Sequence, residues 1–196
     1  MKQYFEDLLT TINDSVRSLN EAQFSAMTMD AQNTLNNGHK LVVSGLGKNV
    51  PVCEKFVGTM NSVGLAAVYM NTNSAIHGDL GVVCDGDMVI VLTKSGETSE
   101  SVHLIDLLRE RNANIWLLTF TENSQIEKKI GSEKTLVLSL DSEGDKWNVV
   151  PNNSTTVNLI ILQGLAMTLV DIMNIPLSRF KMNHPGGYIG AQLKNA

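Results

Sequence analysis

The sequence predicts an α/β fold: a parallel sheet of five strands covered by helices on both faces. Two observations carry that prediction. Five short apolar runs recur along the chain, and they are continuous rather than alternating, as expected of strands buried on both sides. Stretches of helical character separate them, which is how a chain connects parallel neighbours. At 196 residues the chain is long enough for one domain with a full core and short for two. With no linker, internal repeat or low-complexity tract, residues 1–196 are expected to form one domain. A helical segment over 1–37 precedes a sheet core and C-terminal segment over 41–193.

Taken in order, Phe5, Leu8, Ile12, Val16 and Leu19 recur at three- and four-residue spacing. They predict one amphipathic helix or two, stopping at Asn36-Asn37-Gly38. Leu41–Ser44 is the first strand and leads into Gly45-Leu46-Gly47-Lys48; the helix that follows ends near Gly64. Leu65–Met70 is the second strand, and Asp87–Leu92 the third, with a helix from about Ser99 to Arg111. Asn114–Thr119 and Thr135–Leu140 are the fourth and fifth strands, with a short helix between them. Asn152–Asn174 reads as a long buried helix, and the chain closes on His184-Pro185-Gly186-Gly187.

Composition excludes several function classes. Residues are 43% hydrophobic and 18% charged, ordinary for a soluble globular protein. A net charge of −5 offers no basic footprint for nucleic acid or anionic lipid, so neither is expected as a partner. Glu6 and Asp7 stand where a signal peptide needs an apolar core, so no export and a cytoplasmic location are expected. Leu159–Met173 is interrupted by Gln163, Gly164, Thr168 and Asp171 and reads as a buried helix rather than a membrane span. Cys53 and Cys84 lack any paired spacing and read as free thiols.

In a doubly wound sheet, ligands sit beyond the carboxyl ends of the strands where strand order reverses. With the first strand between the second and third, the loops Gly45-Leu46-Gly47-Lys48-Asn49 and Thr93-Lys94-Ser95-Gly96-Glu97-Thr98-Ser99-Glu100 flank that crevice. Gly45-x-Gly47 alone is either a tight turn or a ligand loop. Position 50 is Val where a dinucleotide fingerprint wants a third small residue, and Tyr69-Met70-Asn71-Thr72 ends the second strand without an acid. A nicotinamide cofactor is therefore not expected, and the spacing of a nucleotide P-loop is absent too. Hydroxyls at 93, 95, 98 and 99 surround Gly96 at a helix N-terminus and can offer O–H and N–H donors to an anion. The competing reading is a helix cap, which needs only Thr98 or Ser99. A phosphate is expected to touch Ser95 and Thr98, with Ser154 and Thr155 closing the third side.

The segment Thr93–Glu100 resembles the phosphate loop of the sugar isomerase (SIS) domain family. Four further blocks follow the family's order: Gly45-Leu46-Gly47-Lys48, His77-Gly78-Asp79-Leu80-Gly81, Pro151-Asn152-Asn153-Ser154-Thr155-Thr156 and His184-Pro185-Gly186-Gly187-x-x-Gly190. Together they resemble the catalytic domain of arabinose-5-phosphate isomerases over residues 45–190. The resemblance implies a flavodoxin-like three-layer sandwich and a phosphorylated sugar as partner. It also implies interconversion of arabinose 5-phosphate and ribulose 5-phosphate through an enediolate. An isomerase of another phosphorylated sugar, or a non-catalytic phosphosugar-binding protein, are the alternatives. Three places depart from the family's usual pattern. Asn49 stands where serine is usual, Lys94 where Asn or Gln is usual, and Ser142-Glu143-Gly144-Asp145-Lys146 replaces Lys-Glu-Ala-Cys-Pro. The family's tandem regulatory CBS domains are not expected here, nor is the helix-turn-helix segment of a sugar-sensing transcription factor.

Aldose–ketose isomerisation opens the sugar ring and moves a proton between C1 and C2. It needs a base, a donor or cation at the developing oxyanion and an acid for ring opening, with no cofactor. The resemblance puts Lys48, His77, Glu97, Glu143 and His184 at catalytic positions: Glu143 as the C–H base, Glu97 as alternate base or hydroxyl clamp, Lys48 at the oxyanion, and the histidines in ring opening. Gly47, Asn49, Thr93, Ser95, Thr98, Ser154 and Thr155 are expected to bind the substrate and its phosphate. Each catalytic candidate has a plainer reading. Lys48 can be a solvated lysine, although a cation at a helix start opposes the dipole unless an anion binds. Glu97 can simply favour its helix N-terminus, Glu143 can be surface charge, and His77 can cap a turn. One histidine beside Asp79 is thin ligation, so no metal is expected. His39 and His103 read as structural or solvated. The first helix and the Leu159–Met173 helix carry more apolar surface than one sheet face covers, which predicts a homo-oligomer, a tetramer. By resemblance, His184 reaches a neighbour's site.

Overall fold

Two helices precede the sheet in the computed structural model, which describes residues 2–193: α1 (Lys2–Arg17) and α2 (Glu21–Asn36). The N-terminal segment is thus two helices, divided where the Asn20 side chain caps α2 by accepting from Gln23 N–H. Then come β1 (Leu41–Gly45), α3 (Asn49–Ser62), β2 (Ala67–Tyr69), α4 (Thr72–Ala75), β3 (Met88–Leu92) and α5 (Ser99–Glu110). They are followed by β4 (Asn114–Thr119), α6 (Gln125–Ile130), β5 (Thr135–Val137), α7 (Asn153–Ile172), α8 (Leu177–Asn183) and α9 (Gly187–Leu193).

All five strands are parallel, in the order β2-β1-β3-β4-β5, with Val43 opposite Ile90 and Ile90 opposite Trp116. This is the α/β architecture the apolar runs predict. The two edge strands are shorter than predicted. At β2 the paired register covers Ala67–Tyr69, with Ala66 C=O accepting from Leu41 N–H and Met70 N–H donating to Val43 C=O at its two ends. At β5 the pairing stops at Val137, and beyond it Leu138 N–H reaches Thr119 C=O at the very end of β4.

Because side chains alternate along a strand, the sheet feeds two cores. Leu41, Val43, Ile90, Leu92, Trp116 and Leu118 face α2, α3 and α7, meeting Met27, Phe56, Met60, Ile161 and Leu165. Val42, Val89, Val91, Ile115 and Leu117 face the other way, onto Leu104, Ile105 and Leu108 of α5 and Ile126 of α6. The result is three layers. By length and composition α7 could cross a bilayer, but here it packs between the sheet and α1, burying Val157, Ile161, Leu165 and Leu169. Burial pushes the Cys53 thiol up to about 12, which makes it a core side chain rather than a nucleophile.

At the amino end of the strands, Asp30 of α2 accepts from Trp116 Nε1 at 2.8 Å and Asn114 Nδ2 at 3.3 Å, and pairs with Lys134. Trp116 is buried, so its N–H has no water to replace that acceptor. Asp30→Ala should therefore cost about 1–3 kcal/mol of folding stability. The readout is a lower denaturant midpoint with anion binding at the opposite end of the strands unchanged. An unshifted midpoint would show that the indole finds another partner.

Candidate functional site

Strand order reverses between β1 and β3, and their carboxyl ends open a crevice between the α3 and α5 layers. The loop after β1 can lie close to β3 only because residue 45 is glycine. A Cβ there would meet Asn49 Cβ at 2.8 Å and Leu92 Cβ at 3.3 Å. Gly47 then turns with φ +57, a conformation that favours glycine, and delivers Lys48 and Asn49 to the start of α3. On the other side, Thr93 follows β3 and accepts from Gly96 N–H at 3.3 Å, shaping the turn that starts α5. A cavity of about 240 Å³ results, and Gly47, Lys48, Asn49, Thr93, Thr98, Ser154 and Thr155 all line it.

Three helices start at this cavity, and their first N–H groups fare differently. In α3, Asn49 N–H and Val50 N–H bond to Leu46 C=O and Gly47 C=O. At α7, Asn152 N–H and Ser154 N–H donate to Glu143 Oε2 at 3.0 and 2.9 Å. At α5, Thr98 occupies the cap position but its side chain makes no capping bond. Among the described residues no cap side chain covers the start of α5, although the Glu100 carboxylate draws on its own N–H; Thr98 and Ser101 line the cavity there, an arrangement that can receive an anion.

Glu143 is fully buried, not surface charge. Besides its bonds to α7, its Oε1 lies 2.7 Å from Lys94 Nζ, and Lys94, half-exposed, lines the cavity. Burial alone would raise the Glu143 pKa. Lys94 and the Ser154 and Asn152 N–H groups outweigh that and hold it below its ordinary value. Thr155 donates its hydroxyl to Asn152 C=O, so both hydroxyl and carboxylate serve to shape the start of α7.

Five of the predicted residues do not line the cavity of their own chain: Glu143, which meets it through Lys94, and Ser95, Glu97, His77 and His184. Ser95 turns its hydroxyl to accept from Glu97 N–H at 3.2 Å. Glu97 is exposed and faces α6, accepting from Gln125 N–H at 2.8 Å and Gln125 Nε2 at 2.5 Å; the backbone bond first, then the side-chain bond, lowers its pKa. His77 is exposed and lines a separate cavity with Glu100 and His103. His184 stacks on Phe180 with ring centroids 3.9 Å apart, and its Nδ1 donates to Phe180 C=O at 2.8 Å. Its neighbour Asn183 is bonded to Asn61 C=O and Ser62 C=O at the far end of α3. The crevice is at the other end of that helix, roughly 20 Å away at 1.5 Å per residue.

The cavity also contains residues that the sequence reading left out. Lys94 was visible as a departure from a pattern, but nothing in its neighbourhood pointed to Glu143. Asn158 lies on α7 one turn after Ser154, is buried, and donates Nδ2–H to Asn49 Oδ1 at 3.0 Å. A polar side chain between Val157 and Leu159, one turn after Ser154, was the available signal.

The chain resembles known proteins over most of its length. The chain is 32% identical over 154 residues to arabinose 5-phosphate isomerase KdsD of Pseudomonas aeruginosa, covering 79% of this chain and 47% of that one. It is 27% identical over 192 residues to arabinose 5-phosphate isomerase KdsD of Salmonella typhimurium, covering 98% of this chain and 58% of that one. The chain thus spans about half the length of these curated relatives. Its fold matches the solved structure of E. coli CFT073 c3406 in complex with arabinose 5-phosphate, with a TM-score of 0.86 and 24% identity over 94% of this chain and 95% of that one. The family model of the SIS domain matches residues 34–167, a span that holds the whole sheet, both crevice loops and the start of α7, and the chain belongs to the SIS domain family.

Proposed function

We propose that this chain is an aldose–ketose isomerase of phosphorylated sugars, interconverting arabinose 5-phosphate and ribulose 5-phosphate. The observation that carries the reading is the N-terminus of α5, whose cap residue Thr98 makes no capping bond among the described residues, at a cavity also lined by Lys48 and Lys94. A terminal phosphate belongs at α5, where Thr93 and Thr98 add hydroxyls to the backbone N–H groups. The carbon chain then crosses toward α3 and α7. The names of the KdsD relatives and the arabinose 5-phosphate complex of the c3406 structure support the choice of sugar.

In this reading Glu143 takes the proton from C2 of the open-chain aldose, Lys48 stabilises the enediolate oxygen, the O2 hydroxyl proton passes to O1, and Glu143 returns its proton at C1 to leave the ketone at C2. The contacts that keep Glu143 ionised also weaken it as a base. Glu97, turned toward Gln125, is the alternate base. His77 and His184 serve ring opening in a cytoplasmic homotetramer, where a neighbour brings His184 to a crevice its own chain does not reach. Exposed Phe5 and Leu9 on α1 and Ile160 and Met167 on α7 are apolar surface available for such contacts.

The test is incubation with arabinose 5-phosphate in D₂O, followed by NMR. Ketose should appear, with deuterium at the exchanged carbon. Turnover of a different phosphosugar would change the substrate and keep the class. Tight phosphosugar binding with neither turnover nor exchange would make this a binding protein.

A further inference from the structure

We infer that Asn158 is a specificity-determining residue that reads one hydroxyl of the bound sugar; the inference rests on the phosphosugar reading of the cavity. Asn158 lines the cavity and is only 1% exposed. One end of its amide is taken, since Nδ2 donates to Asn49 Oδ1 at 3.0 Å. The other end, Oδ1, is buried and has no partner among the described residues. Buried amide groups are almost always paired, so an unpartnered one in a cavity wall is a recognition element waiting for its ligand.

The chemistry of that ligand follows from the site. A hydroxyl both donates and accepts, so it satisfies the free end of the amide whichever way the amide is turned; a phosphate or carboxylate oxygen only accepts. The placement agrees. Asn158 stands on α7, in the layer opposite α5, the helix at which the phosphosugar reading places the phosphate. A phosphate held there leaves the hydroxyl-bearing carbon chain facing Asn158. Asn49 has the supporting role: it comes from the start of α3 and fixes the Asn158 amide by occupying one end of it. The pair joins residues from two helices and positions the free end without a charge. An uncharged reader of a hydroxyl discriminates among sugars of the same phosphate class, which the phosphate-binding groups by themselves do not.

The experiment is calorimetric binding of arabinose 5-phosphate, its three monodeoxy analogues and inorganic phosphate to the unaltered chain, Asn158→Leu and Asn158→Thr. Thermal unfolding of each variant checks that it is folded. Asn158→Leu should weaken arabinose 5-phosphate by roughly 10- to 100-fold, the loss for an unmade buried hydrogen bond, and leave inorganic phosphate unchanged. One deoxy analogue should bind Asn158→Leu and the unaltered chain alike, and Asn158→Thr should recover part of the affinity. Equal losses for phosphate and sugar phosphate, or the same loss for all three analogues as for the parent sugar, would overturn the role of Asn158 alone. Phosphate binding by the unaltered chain without any phosphosugar binding would overturn the isomerase reading, and this inference with it.

Discussion

Glu143→Gln is expected to lower turnover by about two to four orders of magnitude, the range for an acid–base group, in a protein that still folds. Glutamine keeps the shape and can still accept from Ser154 N–H and Asn152 N–H, which hold the start of α7. It loses the proton-accepting charge, and its amide N–H₂ would confront the Lys94 ammonium, donor against donor. Half-exposed Lys94 can turn to solvent, so the clash relaxes without opening the core. Stability should respond to pH in a defined direction. Burial, which raises the Glu143 pKa, is outweighed by Lys94 and the two N–H groups, and the folded value lies below the ordinary 4.5. Its stabilisation is therefore complete above about 4.5 and is lost as pH falls through the lower folded value. The gap in unfolding midpoint between the parent and Glu143→Gln should be widest near neutral pH and close in acid. Full activity of the variant on the true substrate would transfer the base role to Glu97.

Lys48→Ala is expected to cost a comparable two to four orders of magnitude in turnover, as loss of an oxyanion-stabilising cation does. Its effect on stability should have the opposite sign. Lys48 occupies the cap position of α3, makes no ion pair among the described residues, and sets a positive charge against the positive end of a helix. Removing it should leave the melting temperature unchanged or slightly higher. An unfavourable charge retained at a cavity wall is the signature of a group kept for its ligand. Added phosphate should raise the melting temperature of the parent more than that of the variant. A variant that melts much lower would make Lys48 a structural residue instead.

The sheet, its helices and the crevice were legible in the chain because each leaves a local trace. Strands buried on both faces read as continuous apolar runs, such as Met88–Leu92, and a strand that feeds a helix through a glycine turn reads as Gly45-Leu46-Gly47-Lys48. The runs located the strands; that β1 lies between β2 and β3 was an assumption of the doubly wound pattern, and the strand order of the folded sheet puts the loops after β1 and β3 at the cavity. The two edge strands were overread at Leu65, Ala66, Met70 and Leu138–Leu140, because apolar character persists where the ladder is reduced to single bonds or has ended.

What only the tertiary structure decided is which polar groups meet. Lys94 and Glu143 pair across two loops, and Asn49 and Asn158 pair across two helices. Glu97 and Ser95, adjacent to the cavity in sequence, are drawn away by bonds to Gln125 and to the loop's own backbone. His184 is held by Phe180 at the far end of α3, and His77 faces a different cavity. The physical reason is one of range. Burial and backbone conformation are set by neighbours a few positions apart and repeat with the period of the helix or strand. The direction of a polar side chain is set by whichever partner the converging elements bring within about 3 Å, and that convergence is a property of the packed layers alone.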